Sequence, residues 1–195
     1  MRLESIFYRS RQFWQALYAV PSPEDVSLAR TILSPDQLDL FARLQRNEQA
    51  HSLLVFKRLY AHCEQDPVEY EADLLAAALL HDVGKSCYRL SLWERVLIVL
   101  AKVMLPGRLK EWGAAPMSKC QERASGSSGW REFGWKRAFV IAEQHPLWGA
   151  EMAAEAGCSP ITVSLICRHQ DILKFPLRTP EDLLLYRLQQ ADGSY

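Results

Sequence analysis

The sequence predicts an all-α protein, and three observations carry that expectation. Apolar residues recur three and four positions apart along most of the chain, which is the period of one helix face. No run alternates apolar and polar residues as a half-buried strand would. Ser-Pro pairs and glycines stand where helices of ordinary length would start and stop.

The elements follow in order. Ile6, Phe7, Phe13, Trp14, Leu17 and Tyr18 describe an N-terminal amphipathic helix up to Val20, which Pro21 and Pro23 break. Ser34-Pro35-Asp36 supplies an N-cap, a first-turn proline and a first-turn acid, and Leu38, Leu40, Phe41 and Leu44 continue that helix. A second run, 47–63, lines up Leu53, Leu54, Phe56 and Leu59. A Leu- and Ala-rich helix over 71–83 stops at Gly84, read as its C′ residue. Residues 92–105 form the next helix, ended by Pro106-Gly107. The segment 114–134, with SKCQERASGSSGW inside it, has no apolar period and reads as a mobile loop. Helices resume over 136–143, and another opens at Pro146 and runs to Ala156. A further one is capped by Ser159-Pro160 and ends near His169, and the last covers 181–191 after a Pro-containing connection. The expected organisation is one helical domain over 46–195 with an N-terminal helical extension over 1–45.

Composition narrows the function classes. The 195 residues carry 23 Lys plus Arg and 23 Asp plus Glu. That balance argues against general nucleic-acid binding, which usually needs a basic excess, but leaves room for one small anionic substrate. A hydrophobic share of 49% with 24% charged residues is that of a folded globular chain. The five cysteines are scattered and form no CxxC pair, which excludes a disulfide-stapled scaffold and a four-cysteine zinc site. No signal peptide is read, and the most apolar stretch, 92–105, is broken by Glu94, Arg95 and Lys102 and is too short to span a membrane. A cytoplasmic, reduced protein is expected.

The chemistry lies in the histidines. There are five, at 51, 62, 81, 145 and 169. His81 is followed by Asp82 at the end of an apolar helix. An adjacent His and Asp there are costly unless both are satisfied, and a divalent metal ion satisfies both, while a carboxylate has two oxygens with which to bridge two ions. His51 sits within a helix, His145 directly before Pro146 and hence before a helix N-terminus, and His169 at a helix C-terminus. Asp192 ends the last helix, where an acid opposes the helix dipole.

The ordered set His51, His81-Asp82, His145, His169 and Asp192 resembles the HD-domain metal-dependent phosphohydrolase superfamily. AAALLHDVGK is similar to that family's central motif, HPLWGAEMA to the HPxxGAE segment of its two-metal, HDIG-like members, and LQQAD to its closing motif. ICRHQD stands where those members carry a His pair and an acid, with Arg168 in place of the first His. The segment after it lacks the glycine-tyrosine-proline signature of the cyclic-di-GMP phosphodiesterase branch. The resemblance spans about 46–192.

It implies an all-helical domain around a metal site. His51, His81, Asp82 and Asp192 would hold one divalent ion (Mn, Fe or similar), and Asp82 would bridge to a second held by His145 and His169. The implied activity is hydrolysis of a small phosphorylated substrate, a nucleotide or related phosphoester, by metal-activated water, with Asp82 at the reacting centre. A di-iron oxygenase of the same fold and a non-catalytic metal-binding sensor are the alternatives. Lys85 suits either a phosphate contact or a helix-end cation, and Arg168 either a phosphate contact or a surface salt bridge. Glu48, one turn before His51, is the one candidate general acid. Val96–Ala101 is apolar all round, which fits a packed helix, a homodimer face or a membrane-surface contact over 92–105.

Overall fold

A computed structural model describes residues 20–63, 71–114 and 133–193. Among the described residues the chain forms nine α-helices and two short 3-10 segments and contains no strand. They are α1 (Pro23–Ile32), α2 (Pro35–Ala42), α3 (Arg46–Cys63), α4 (Glu71–Leu80), α5 (Leu92–Met104), α6 (Pro106–Gly113), α7 (Arg137–Glu155), α8 (Pro160–Arg168) and α9 (Pro180–Asp192). The 3-10 segments are Val83–Cys87 and Gly134–Lys136. The all-α expectation holds. The helix expected up to Val20 and the loop expected over 114–134 lie almost wholly outside the described residues.

The Leu- and Ala-rich α4 is buried on every side from Leu74 to Leu80, as a helix apolar all round must be. It is the centre of the molecule: α1, α2, α3, α8 and α9 all pack on it. Phe41, Phe56, Leu59, Leu79, Trp148, Leu165 and Leu188 share one continuous core with it. Residues 29–44, within the expected extension, contribute Ala29, Leu33, Leu40, Phe41 and Leu44 to that same core. Ser34, Ser159 and Thr179 cap α2, α8 and α9, each accepting a backbone N–H three residues on.

Two helix starts were not expected, and two expectations are corrected. Pro23 opens α1, where Ser22 accepts the Asp25 N–H at 3.1 Å and proline needs no donor in the first turn. Pro106 opens α6, after α5 has ended at Met104 as expected. The helix expected over 71–83 ends at Leu80, and Gly84 lies inside the following 3-10 turn. Gly84 is needed there for space: a Cβ would stand 2.0 Å from the His145 carbonyl oxygen and 2.8 Å from the Gly149 nitrogen. Second, the two helices expected around His145 are one, with Pro146 inside α7. Proline at 146 deprives the Ala142 carbonyl of its backbone donor. The His145 Nδ1–H donates to the Ala142 and Ile141 carbonyls, both at 3.0 Å, and satisfies it. Among the described residues no helix is long and apolar enough to cross a membrane.

Candidate metal centre

Six side chains converge where α3, the turn after α4, α7, α8 and α9 meet. They form two triads, His51 with His81 and Asp192, and Asp82 with His145 and His169, and the donor atoms within each triad lie within 4.8 Å of one another. All six metal ligands implied by the sequence are therefore brought together. His81, Asp82, His145 and His169 are each at most 3% exposed.

Asp82 joins the triads. Its Oδ2 lies 3.6 Å from His81 Nε2, and its Oδ1 lies 3.4 Å from His145 Nε2 and 4.0 Å from His169 Nε2. One carboxylate thus turns one oxygen to each triad. On the other side of His81, Asp192 Oδ1 is 3.7 Å from His81 Nε2 and 2.7 Å from His51 Nε2.

Backbone carbonyls set the tautomers. A carbonyl only accepts, so a ring nitrogen in contact with one carries the proton. His81 Nδ1 donates to Ala78 at 2.9 Å, His145 Nδ1 to Ile141 and Ala142, and His169 Nδ1 to Ile166 at 2.7 Å. Each Nε2 is left facing the centre with its lone pair, the arrangement in which metal-binding imidazoles are usually held.

The electrostatics suit cations. Burial pushes His145 below its usual pKa and, helped by the neighbouring His145 and His81, pushes His169 down to about 3. Neither ring takes up a proton near neutral pH, yet their Nε2 atoms are only 3.3 Å apart. Two lone pairs facing each other at that distance repel, and a cation near both would relieve them, as the Gln170 side-chain amide 3.4 Å from His145 Nε2 does only in part. His81 Nε2 is buried with no hydrogen-bond partner, and a buried polar atom seldom stays unsatisfied. Burial alone would raise Asp82, but Lys85, His81 and His145 hold it well below the usual carboxylate range. Asp192 is likewise held low against burial by its contact with His51. An orphaned imidazole nitrogen, two facing lone pairs and two ionised carboxylates fit divalent metal ions, and the mixed His and carboxylate set suits Mn, Fe, Co or Zn.

The centre forms the floor of a cleft of about 290 Å³. Its polar lining includes Asn47, Glu48, Lys85, Arg95 and Gln170, and its apolar lining Leu90, Ile98, Val99, Ile141 and Ala142. Lys85 Nζ donates to Asp82 Oδ2 at 2.6 Å and stands at the rim of the centre. Arg95 Nη2 donates to Glu48 Oε1 at 2.7 Å. The other Glu48 oxygen accepts the Gln45 N–H at 3.1 Å, so the carboxylate considered as a general acid is engaged in capping α3 and anchoring Arg95.

Arg168 is not brought to the cleft. Its guanidinium pairs with Glu181 at 2.5 Å, Asp182 at 2.9 Å and Asp171 at 3.6 Å, tying α8 to the start of α9. Sequence reasoning missed Arg95. Its only signal is a charge interrupting the most apolar stretch of the chain, and its neighbour Glu94 is equally marked but turns inward to Arg137.

No family model, curated protein or solved structure matches the chain.

Proposed function

We propose that the protein is a metal-dependent phosphohydrolase that hydrolyses a nucleotide or related phosphoester. The observation that carries the reading is the pair of triads joined through Asp82 at the floor of a cleft rimmed by Lys85 and Arg95. Two divalent ions there would supply a water acidified towards neutral pH and would neutralise charge on phosphoryl oxygens. Lys85 and Arg95 add fixed positive charge for the same oxygens, Arg95 through a guanidinium anchored by Glu48. Asp82, well below its usual pKa, stays ionised for either ion, and the backbone bonds to three Nδ1 atoms keep their rings aimed before substrate arrives. The two cations favour an anionic substrate over the oxygenase alternative. Their place above the ligands favours an enzyme over a sensor.

The test joins metal content to activity. Wild type reconstituted with Mn or Fe is expected to hold two ions per chain by elemental analysis and to release phosphate from members of a phosphoester panel. His145→Ala and His169→Ala should each lower the count towards one and remove most activity. His81→Ala with Asp82→Ala should strip the centre. Full metal content in that double variant, or no hydrolysis of any phosphoester by loaded wild type, overturns the reading.

A further inference from the structure

The side of α5 turned away from the core is apolar, and it runs into the cleft. Leu92, Trp93, Val99, Leu100 and Met104 are 41%, 53%, 45%, 51% and 72% exposed, and at 100° per residue they fall within one uncharged face. The opposite side is the one that packs: Glu94 is fully buried and bonded to Arg137 of α7, and Ala101 lies against Phe139. A helix that already has a core-facing side has no need of five large apolar residues in water, and a contiguous patch of this kind marks a contact surface.

Val99 belongs to both regions. It lines the cleft with Ile98 and Leu90, and it is almost half exposed on the outer face. The apolar wall of the cleft therefore continues onto the outside of α5, while its floor holds the metal ligands, Lys85 and Arg95. A cleft of about 290 Å³ is at the small end for a ligand site, and the part of a long apolar chain that outruns it would continue along the outer face.

We infer that the substrate is an amphiphilic phosphate monoester, a phosphate head on an apolar chain, taken from a lipid surface on which the outer face of α5 rests. This depends on the phosphohydrolase reading above and names its substrate class. The head meets the metal centre, Lys85 and Arg95. The chain follows Leu90, Ile98 and Val99 outward, and Trp93 sits at the level of the head groups, where indole rings are favoured. In the reaction a water oxygen bonds to phosphorus and the bond from phosphorus to the chain-bearing oxygen breaks. That oxygen takes a proton, leaving an alcohol in the lipid and inorganic phosphate in the cleft.

The experiment uses the full, metal-loaded chain. Flotation with phosphatidylcholine vesicles containing phosphatidic acid is measured beside phosphate release from those vesicles and from two water-soluble monoesters, p-nitrophenyl phosphate and adenosine monophosphate. The variant is Trp93→Glu with Leu100→Glu; neither residue lines the cleft. Wild type is expected to float and to hydrolyse the vesicle-borne ester. The variant should lose flotation and lose vesicle-borne hydrolysis by about tenfold or more, since buried apolar side chains carry the attachment. Its melting temperature and its rate on p-nitrophenyl phosphate should not change. Wild type that hydrolyses soluble esters but neither floats nor attacks phosphatidic acid overturns the inference and leaves the phosphohydrolase reading standing. No hydrolysis of any ester overturns both. A wild-type dimer that ignores vesicles and is broken by the double variant assigns the face to a second copy and overturns the inference.

Discussion

His145 shows how one residue answers two demands. Pro146 strips the Ala142 carbonyl of its donor, the His145 Nδ1–H replaces it, and the same bond aims Nε2 at Asp82 and His169. The result is a neutral, buried imidazole whose folded pKa lies below the ordinary value of 6.5, as does that of His169. The pH consequence has a definite sign. Below pH 6.5 the unfolded chain takes up protons that the folded state refuses, so metal-free protein loses stability on acidification. The loss approaches about 1.4 kcal/mol per pH unit for each ring, until the folded pKa is reached. His51 acts oppositely: despite burial, Asp192 raises it, so its contribution is present below 6.5 and fades as pH rises through its folded pKa. Melting of the apo protein should therefore show a clear fall from pH 6.5 towards about pH 4, and His145→Gln with His169→Gln should flatten it. Equal slopes in the two proteins would show that these rings do not titrate as their burial requires.

At the scale of elements, the centre depends on how closely the 3-10 turn after α4 lies against α7. Gly84 permits that approach, with Gly149 opposite: a Cβ on Gly149 would in turn stand 3.2 Å from the Gly84 nitrogen. Gly84→Ala must drive backbone from backbone and carry Asp82 away from His145. Overpacking of this kind costs about 1–3 kcal/mol or more. A fall in melting temperature is expected together with loss of the ion shared by Asp82, His145 and His169. Elemental analysis and thermal melting check both, and a variant with unchanged metal content would show that the contact does not position Asp82. Asp192 presents the same theme at the end of α9. An acid at that terminus opposes the helix dipole, and it is compensated by His51 at 2.7 Å and by the left-handed Gly193 that closes the helix at φ 78°.

Across the whole molecule, the six candidate ligands come from five segments that are distant in sequence. Ions that bind only this assembled arrangement stabilise the folded state as a whole, by about 2.7 kcal/mol at a hundredfold excess over the dissociation constant. Chelation is expected to lower the melting temperature of the entire cooperative transition and to speed amide exchange in the last turn of α9. A transition that ignores chelation would mean that the ligand set is not bridged by metal.

The helices that stand on periodicity and caps were legible because their causes are local. Ser34-Pro35, Ser159-Pro160 and the Leu- and Ala-rich run ending in His81-Asp82 state their structure within a few residues. The cost of an unpartnered polar pair at an apolar helix end pointed to His81-Asp82, and the six metal-ligand candidates were legible as an ordered set through the resemblance to the HD-domain superfamily. What the chain did not disclose locally depends on contacts between distant segments. Pro146 continues a helix because His145 repairs its missing bond. Gly84 serves a close approach rather than a cap. Arg168 is drawn from the cleft to Glu181 and Asp182, and Arg95 is drawn into it by Glu48. Which charge faces the metal centre, and which apolar face of α5 is left outside, is decided only when the helices pack, because exposure belongs to the assembled molecule and not to any one segment.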